Sequence, residues 1–172
     1  FGFAFAPDGH SFITSDPDGA LGVWDTRSVQ RKESLPALGS NNWGVALSPD
    51  GQWLAVGNGS GKVNVWDWTA RRRVRSFEVP FEWFGVLHFS RSGRFLWATV
   101  MFNDWAIRCR IWRTADWQEI PLAGVQAADI WCADFSPDDR LLAAGYANGT
   151  VKLWNFPTGR HETTFTNQTA PV

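Results

Sequence analysis

The side chains of this sequence that could carry chemistry are few and scattered. Gly57, Gly59 and Gly61 resemble a loop that cradles a phosphate with backbone N–H groups. Such a loop needs a helix behind it and a Lys-Ser/Thr ending, and with neither in place the glycines read as a hairpin turn. Asp8, Asp16, Asp18, Asp50, Asp138 and Asp139 could supply a general acid and base, but each falls beside a turn, where an Asp side chain caps its own backbone. His88 sits in an apolar run and reads as a core or channel histidine, and Cys132 as a small buried residue. No Gly-x-Ser-x-Gly elbow, His-Glu-x-x-His pair or zinc-type cysteine spacing occurs, so no catalytic, cofactor-binding or metal-ligating residue is expected. Arg71, Arg72, Arg73 and Arg75 could hold phosphate, yet on an exposed sheet edge such charges already serve to block edge-to-edge pairing.

Bulk composition narrows the classes further. A net charge of −1 over 172 residues argues against nucleic acid or an anionic membrane as partner. Two cysteines, Cys109 and Cys132, make no disulfide framework, which fits a reducing, cytoplasmic setting. No apolar run is long enough to span a bilayer as a helix. Thirteen Arg against three Lys suggests a GC-rich bacterial genome, and the first residue is not Met, so the chain is expected to be part of a longer polypeptide. The 12 Trp and 13 Phe beside one Tyr mean that large flat rings build much of the core.

What positions these residues is a repeat. Four apolar segments end in Phe5-Ala6-Pro7-Asp8-Gly9, Leu47-Ser48-Pro49-Asp50-Gly51, Phe89-Ser90-Arg91-Ser92-Gly93 and Phe135-Ser136-Pro137-Asp138-Asp139. Each is followed by a tryptophan, Trp24, Trp66, Trp112 or Trp154, and these step by 42, 46 and 42 residues. A period in that range marks stacked units, none able to bury its apolar surface alone. The units are expected at about 1–38, 39–80, 81–126 and 127–172. Within each, four short strands are separated by turn signals. In the second they are Trp43 to Leu47, Trp53 to Val56, Lys62 to Trp66 and Val74 to Val79. In the fourth they are Ile130 to Phe135, Leu141 to Tyr146, Thr150 to Trp154 and His161 to Phe165. Connections so short allow only an antiparallel meander, one four-stranded sheet per unit.

Along the third strand the tryptophan and its aliphatic neighbours point to opposite faces. A sheet apolar on both faces needs a neighbour on each, and sheets arrayed radially supply them. Trp24, Trp66, Trp112 and Trp154 are therefore expected to be structural, each costing about 3–5 kcal/mol on removal.

These turns and tryptophans resemble the WD-repeat β-propeller family. Trp24-Asp25 and Trp66-Asp67 match the family's closing pair, whereas Trp112-Arg113 and Trp154-Asn155 keep only the Trp. Residues Asn148 to Asn155 are close to the family pattern. The resemblance implies an all-β propeller of four-stranded antiparallel blades, about four in this chain, as an open segment of a larger ring rather than a closed four-blade ring. Family repeats carry a Gly-His pair before the first strand; here Gly39-Ser40, Pro80-Phe81 and Gly124-Val125 stand there. The Asp that such a His would bond is Asp18, Ser60 or Asn148 in the first, second and fourth units, so the polar network is expected to be lost as a unit. The third unit has four extra residues, placed around Phe102-Asn103-Asp104-Trp105 as a longer hairpin loop.

The resemblance further implies a non-catalytic scaffold that binds another protein, or another domain of its own polypeptide, with self-association a route to completing the ring. The rim of loops is the expected surface, through Phe81, Trp83, Asn103, Asp104, Trp105 and Asp129. Trp43 and Trp131 read instead as inter-blade packing. The alternative is a sensor module of a bacterial kinase or nucleoside triphosphatase with catalysis outside this segment. A propeller hydrolase would need histidines and carboxylates clustered at strand starts, which hold mainly Phe, Trp and Gly.

Overall fold

The computed structural model describes residues 2–16, 18–35, 42–79, 83–101, 107–121, 130–156 and 158–166, with backbone alone at 43 and 83–85. The first sheet holds β1 (Phe3–Phe5), β2 (Ser11–Ser15), β3 (Leu21–Asp25) and β4 (Arg31–Leu35). The second holds β5 (Asn42–Leu47), β6 (Trp53–Asn58), β7 (Lys62–Asp67) and β8 (Arg72–Glu78). The third holds β9 (Trp83–Phe89), β10 (Phe95–Met101) and β11 (Ile107–Arg113). The fourth holds β12 (Ile130–Phe135), β13 (Leu141–Tyr146), β14 (Val151–Asn155) and β15 (Arg160–Phe165). Each sheet is an antiparallel meander in chain order, and no helix occurs among the described residues. The four are blades of a β-propeller. Among the described residues the first and fourth sheets share no contact, so the blades form an open arc.

The third sheet departs from the expected four strands. Beyond β11 the described chain makes one isolated bridge, Trp112 to Glu119, with Ile120 N donating to Ile111 O at 2.8 Å. Pro121, which has no N–H, comes next. Phe102-Asn103-Asp104-Trp105, where the four extra residues of this unit are expected, lie outside the described residues. Up to them β10 and β11 stay paired to Met101–Ile107, seven pairs against five for β2–β3 and β13–β14 and six for β6–β7.

Registers set the two faces of each sheet. In the second, Leu47–Leu54–Trp66 share one face and Ala46–Ala55–Val65 the other. The tryptophan face of each sheet packs on the opposite face of the sheet before it, which is aliphatic in the first sheet and mixes aliphatic side chains with rings in the second and third. Val45, Leu54 and Val56 meet Ile13, Leu21 and Leu35. Leu87, Leu96 and Trp112 meet Ala55, Val63 and Val65. Phe135, Leu142 and Trp154 meet Phe95, Trp97 and Ile111. The core is thus three slabs between consecutive blades. Trp112 and Trp154 are buried, while Trp24 and Trp66 are half-buried. For Trp24 the reason is direct, since no described blade covers its face.

Trp131 contradicts its expected packing role, at 55% exposure. The β12–β13 register shifts between Ile130 and Cys132, and the bulged residue leaves the face that alternation would have given it. Cys132, expected to be buried, is likewise exposed, on the aliphatic side of the last blade, which no described sheet covers.

Candidate protein-interaction surface

Strand registers gather the described ends of the expected rim. In the second blade Asn42 pairs Asn58, Asn58 pairs Lys62 and Lys62 pairs Glu78. In the third, Trp83 pairs Met101 and Met101 pairs Ile107. Of the expected contact residues, Trp83 opens β9, where its backbone is described. Phe81, Asn103, Asp104, Trp105 and Asp129 lie outside the described residues, and so does the side chain of Trp43.

Polar contacts tie this edge from blade to blade. The Ser15 hydroxyl donates to the Asn42 carbonyl at 2.9 Å, and the Asn42 side-chain N–H donates to Gly19 O. Asn58 Oδ1 accepts from Ser60 N, Ser60 Oγ and Lys62 N, pinning the β6–β7 hairpin. Within the first blade Trp24 Nε1 donates to Thr14 Oγ1 at 2.9 Å. By contrast, the Trp66 indole N–H has no partner among the described residues.

The opposite edge carries a contact that the sequence did not announce. There the turn of each blade rests on the turn before it. A Cβ on Gly51 would lie 3.8 Å from Pro7, and one on Gly93 3.6 Å from Pro49. At the third junction Arg91 replaces the proline and Asp139 the glycine. Asp139, 3% exposed and at φ 58°, accepts from the Ser92 hydroxyl and from Arg94 Nε at 3.1 Å. Arg94 also donates to Asp138 O at 3.1 Å.

Titratable groups elsewhere have structural settings. Asp25 accepts from Ser28 N and Oγ and pairs with Lys32 at 2.6 Å, which holds its carboxyl well below the usual range. Asp138 is lowered by its Ser136 hydroxyl and the Arg140 N–H. Desolvation lowers His88, which lies against the Trp97 ring at 5.2 Å, while the Asp134 charge opposes the shift. Burial pushes the Cys109 thiol up to about 12. Among the described residues no three His, Cys, Asp or Glu side chains gather as a metal site would require. Arg71 does more than guard an edge. Its guanidinium lies 3.5 Å from the Trp68 ring centroid and pairs with Glu33 of the first blade at 2.9 Å.

Residues 39–67 and 122–155 match the family described as WD domain, G-beta repeat. Eukaryotic translation initiation factor 3 subunit I of Neosartorya fischeri is 37% identical over 73 residues, 42% of this chain and 20% of that protein. The same subunit of Aspergillus niger is 38% identical over 48 residues, 28% of this chain and 14% of that protein. The chain therefore spans a fifth or less of these relatives. Both are fungal, which lends nothing to a bacterial source. Hydrazine synthase of Kuenenia stuttgartiensis superimposes with a TM-score of 0.80 at 19% identity, over 98% of this chain and 49% of that one, a likeness of fold.

Proposed function

We propose that this chain, two segments of which match WD repeats, is a non-catalytic protein-interaction scaffold whose loop rim binds another protein or another domain of its polypeptide. The observation that carries this reading is the pairing of WD repeats with relatives that are by name subunits of a multi-subunit factor. Phe81, Trp83, Asn103, Asp104, Trp105 and Asp129 are the proposed contacts. Aromatic anchors among polar neighbours, held on a rigid edge, are what such an interface needs. The lengthened β10–β11 ladder supports the choice, because two extra pairs bring Met101 and Ile107 about 7 Å further out than a five-pair hairpin would.

The reading involves neither nucleic acid nor membrane, and places the protein in the cytoplasm. Among the described residues no helix is long and apolar enough to cross a bilayer. The sensor-module alternative draws no support from the relatives, whose names carry no kinase or triphosphatase. The test is cross-linking of the tagged chain in native extract, with mass spectrometry of the captured protein. Trp83→Ala combined with Trp105→Ala is expected to abolish capture and leave the melting temperature within about 2 °C. Undiminished capture would remove the rim from the interface, and a parallel collapse of the fold would make these residues core.

A further inference from the structure

The outer part of each blade's tryptophan face sets a polar or charged side chain beside the ring, and in three blades that side chain has an ion pair, hydrogen bond or ring contact within its own blade. The tryptophan of the third strand pairs across to Arg31, Arg73, Glu119 or His161, and the residue two before it is Gly22, Asn64, Arg110 or Lys152. In the first blade Arg31 bonds Asp16 at 2.8 Å and Ser34 at 3.0 Å, with Trp24 beneath it at 5.8 Å. In the third, Arg110 pairs with Glu119. In the fourth, Lys152 lies over the Tyr146 ring at 4.8 Å, and His161 bonds Thr164 at 2.8 Å and meets the Trp154 ring at 4.9 Å.

The second blade leaves the position open. Arg73 is exposed and has no ion pair or hydrogen bond among the described residues. Asn64 is 2% exposed, yet its Oδ1 has no donor there. Both line a hollow of about 530 Å³ with Ser76, Lys62 and Glu78, and the last two form only a 3.7 Å pair. A buried acceptor without a donor is destabilising, so the site favours an occupant that supplies one.

We propose that this notch binds an acidic peptide segment, with an Asp or Glu carboxylate on Arg73 and a peptide N–H donated to Asn64 Oδ1. The chemistry demands both an anion and a donor in one ligand, which a peptide carries and a phosphodiester lacks. The neighbouring strand favours an extended segment over a lone anion. β8 is the outermost strand of its sheet, so one side of its backbone is free to pair, and it carries Arg72 and Arg75 beside Arg73. The site is on the outer side of one blade and stands or falls independently of the rim.

The test is fluorescence anisotropy of the whole chain with a labelled extended peptide carrying three Glu, beside the same peptide with Gln in their place. Saturable binding of the Glu peptide alone is expected. Arg73→Glu should weaken it by about tenfold or more, the scale of one charge-assisted bond. Arg72→Glu, which changes net charge equally but does not line the hollow, should weaken it by less than about threefold. Equal losses in both variants would make the attraction diffuse charge and overturn the site. Equal binding of the Gln peptide, absence of binding, or preference for a short RNA over the Glu peptide would overturn it as well. Circular dichroism of Arg73→Glu, an exposed change, is expected to match the parent, and a lost sheet spectrum would make Arg73 structural instead.

Discussion

Four turns that follow the third strands place a residue in the left-handed region, and three of them do it without glycine. Val29, Arg71 and Trp117 sit at φ 56°, 51° and 59°, in the slot that Gly159 fills at φ 67°. The N–H of the slot residue closes the turn on the residue four earlier, from Val29 to Asp25 O at 3.0 Å and from Gly159 to Asn155 O at 2.9 Å. In the first blade Asp25 N also bonds Gln30 O, so four residues make the loop, and register shifts adjoin these turns at Val23/Trp24 and at Leu153/Trp154. For a β-branched residue the slot is costly, about 1–2 kcal/mol of backbone strain. Glycine removes that strain and adds about 0.5–1 kcal/mol of unfolded-state entropy. Val29 is 71% exposed, so no packing is lost. Val29→Gly is therefore expected to raise the melting temperature by about 2 °C in a thermal scan, and a lower value would show the slot to be unstrained. The slot was legible only through the period, which carries it back from Gly159, because valine alone gives no turn signal. The exposure of Trp131 was not legible, since a bulge breaks the two-residue alternation on which its inward orientation rested.

At the scale of the element, the junction between the third and fourth blades has exchanged one kind of contact for another. Two junctions rest a glycine on a proline, and the third sets the buried Asp139 against Ser92 and Arg94. The sequence shows Arg91-Ser92 and Asp139 as separate departures from the turn pattern, and their coupling needs the adjacency of the blades to become visible. Asp139 is fully shielded at its side chain, whereas Arg94 is 62% exposed, so the pair gains less than a buried one would. Removing the partner of a buried carboxylate still leaves its charge unmet. Arg94→Ala is expected to cost about 1–2 kcal/mol in urea unfolding, and close to nothing in an Asp139→Gly background, where no charge remains to satisfy. Equal losses in both backgrounds would show that Arg94 does not act through Asp139. The strand ladders themselves, including the second blade's hairpin and the whole of β12 and β13, were readable from turn residues and alternation. The extra pairs of β10–β11 were not, because Val100, Met101 and Ile107 continue the pattern of the strands they lengthen, with nothing to separate strand from loop.

For the molecule as a whole, the order of packing is the property that matters, and the period alone did not contain it. The face that carries the third-strand tryptophan meets the opposite face of the preceding blade at all three internal junctions. That opposite face is aliphatic in the first blade and also bears Trp53 and Phe77 in the second and Phe95 and Trp97 in the third. One face of each kind is left without a described neighbour. On the first blade Phe3 and Phe5 are 70% and 64% exposed, and with Phe12, Thr14 and Thr26 they line a hollow of about 410 Å³. On the last blade the uncovered side carries Val151 and Leu153, with Phe165 52% exposed beside Val151. The two faces are of the types that meet inside the arc, so copies of the 172-residue chain are expected to associate head to tail. Burying two phenylalanines returns about 3–6 kcal/mol. Association costs about 4–15 kcal/mol, so the contact should be weak and its extent should rise with concentration. Sedimentation across a concentration series reads this directly. Phe3→Glu with Phe5→Glu places two charges on the ring-bearing face and is expected to hold the chain at monomer mass throughout, with its sheet spectrum intact. Association that survives both substitutions would have to use another surface, and a parent chain that stays monomeric at the highest concentration would show that these faces do not recognise one another.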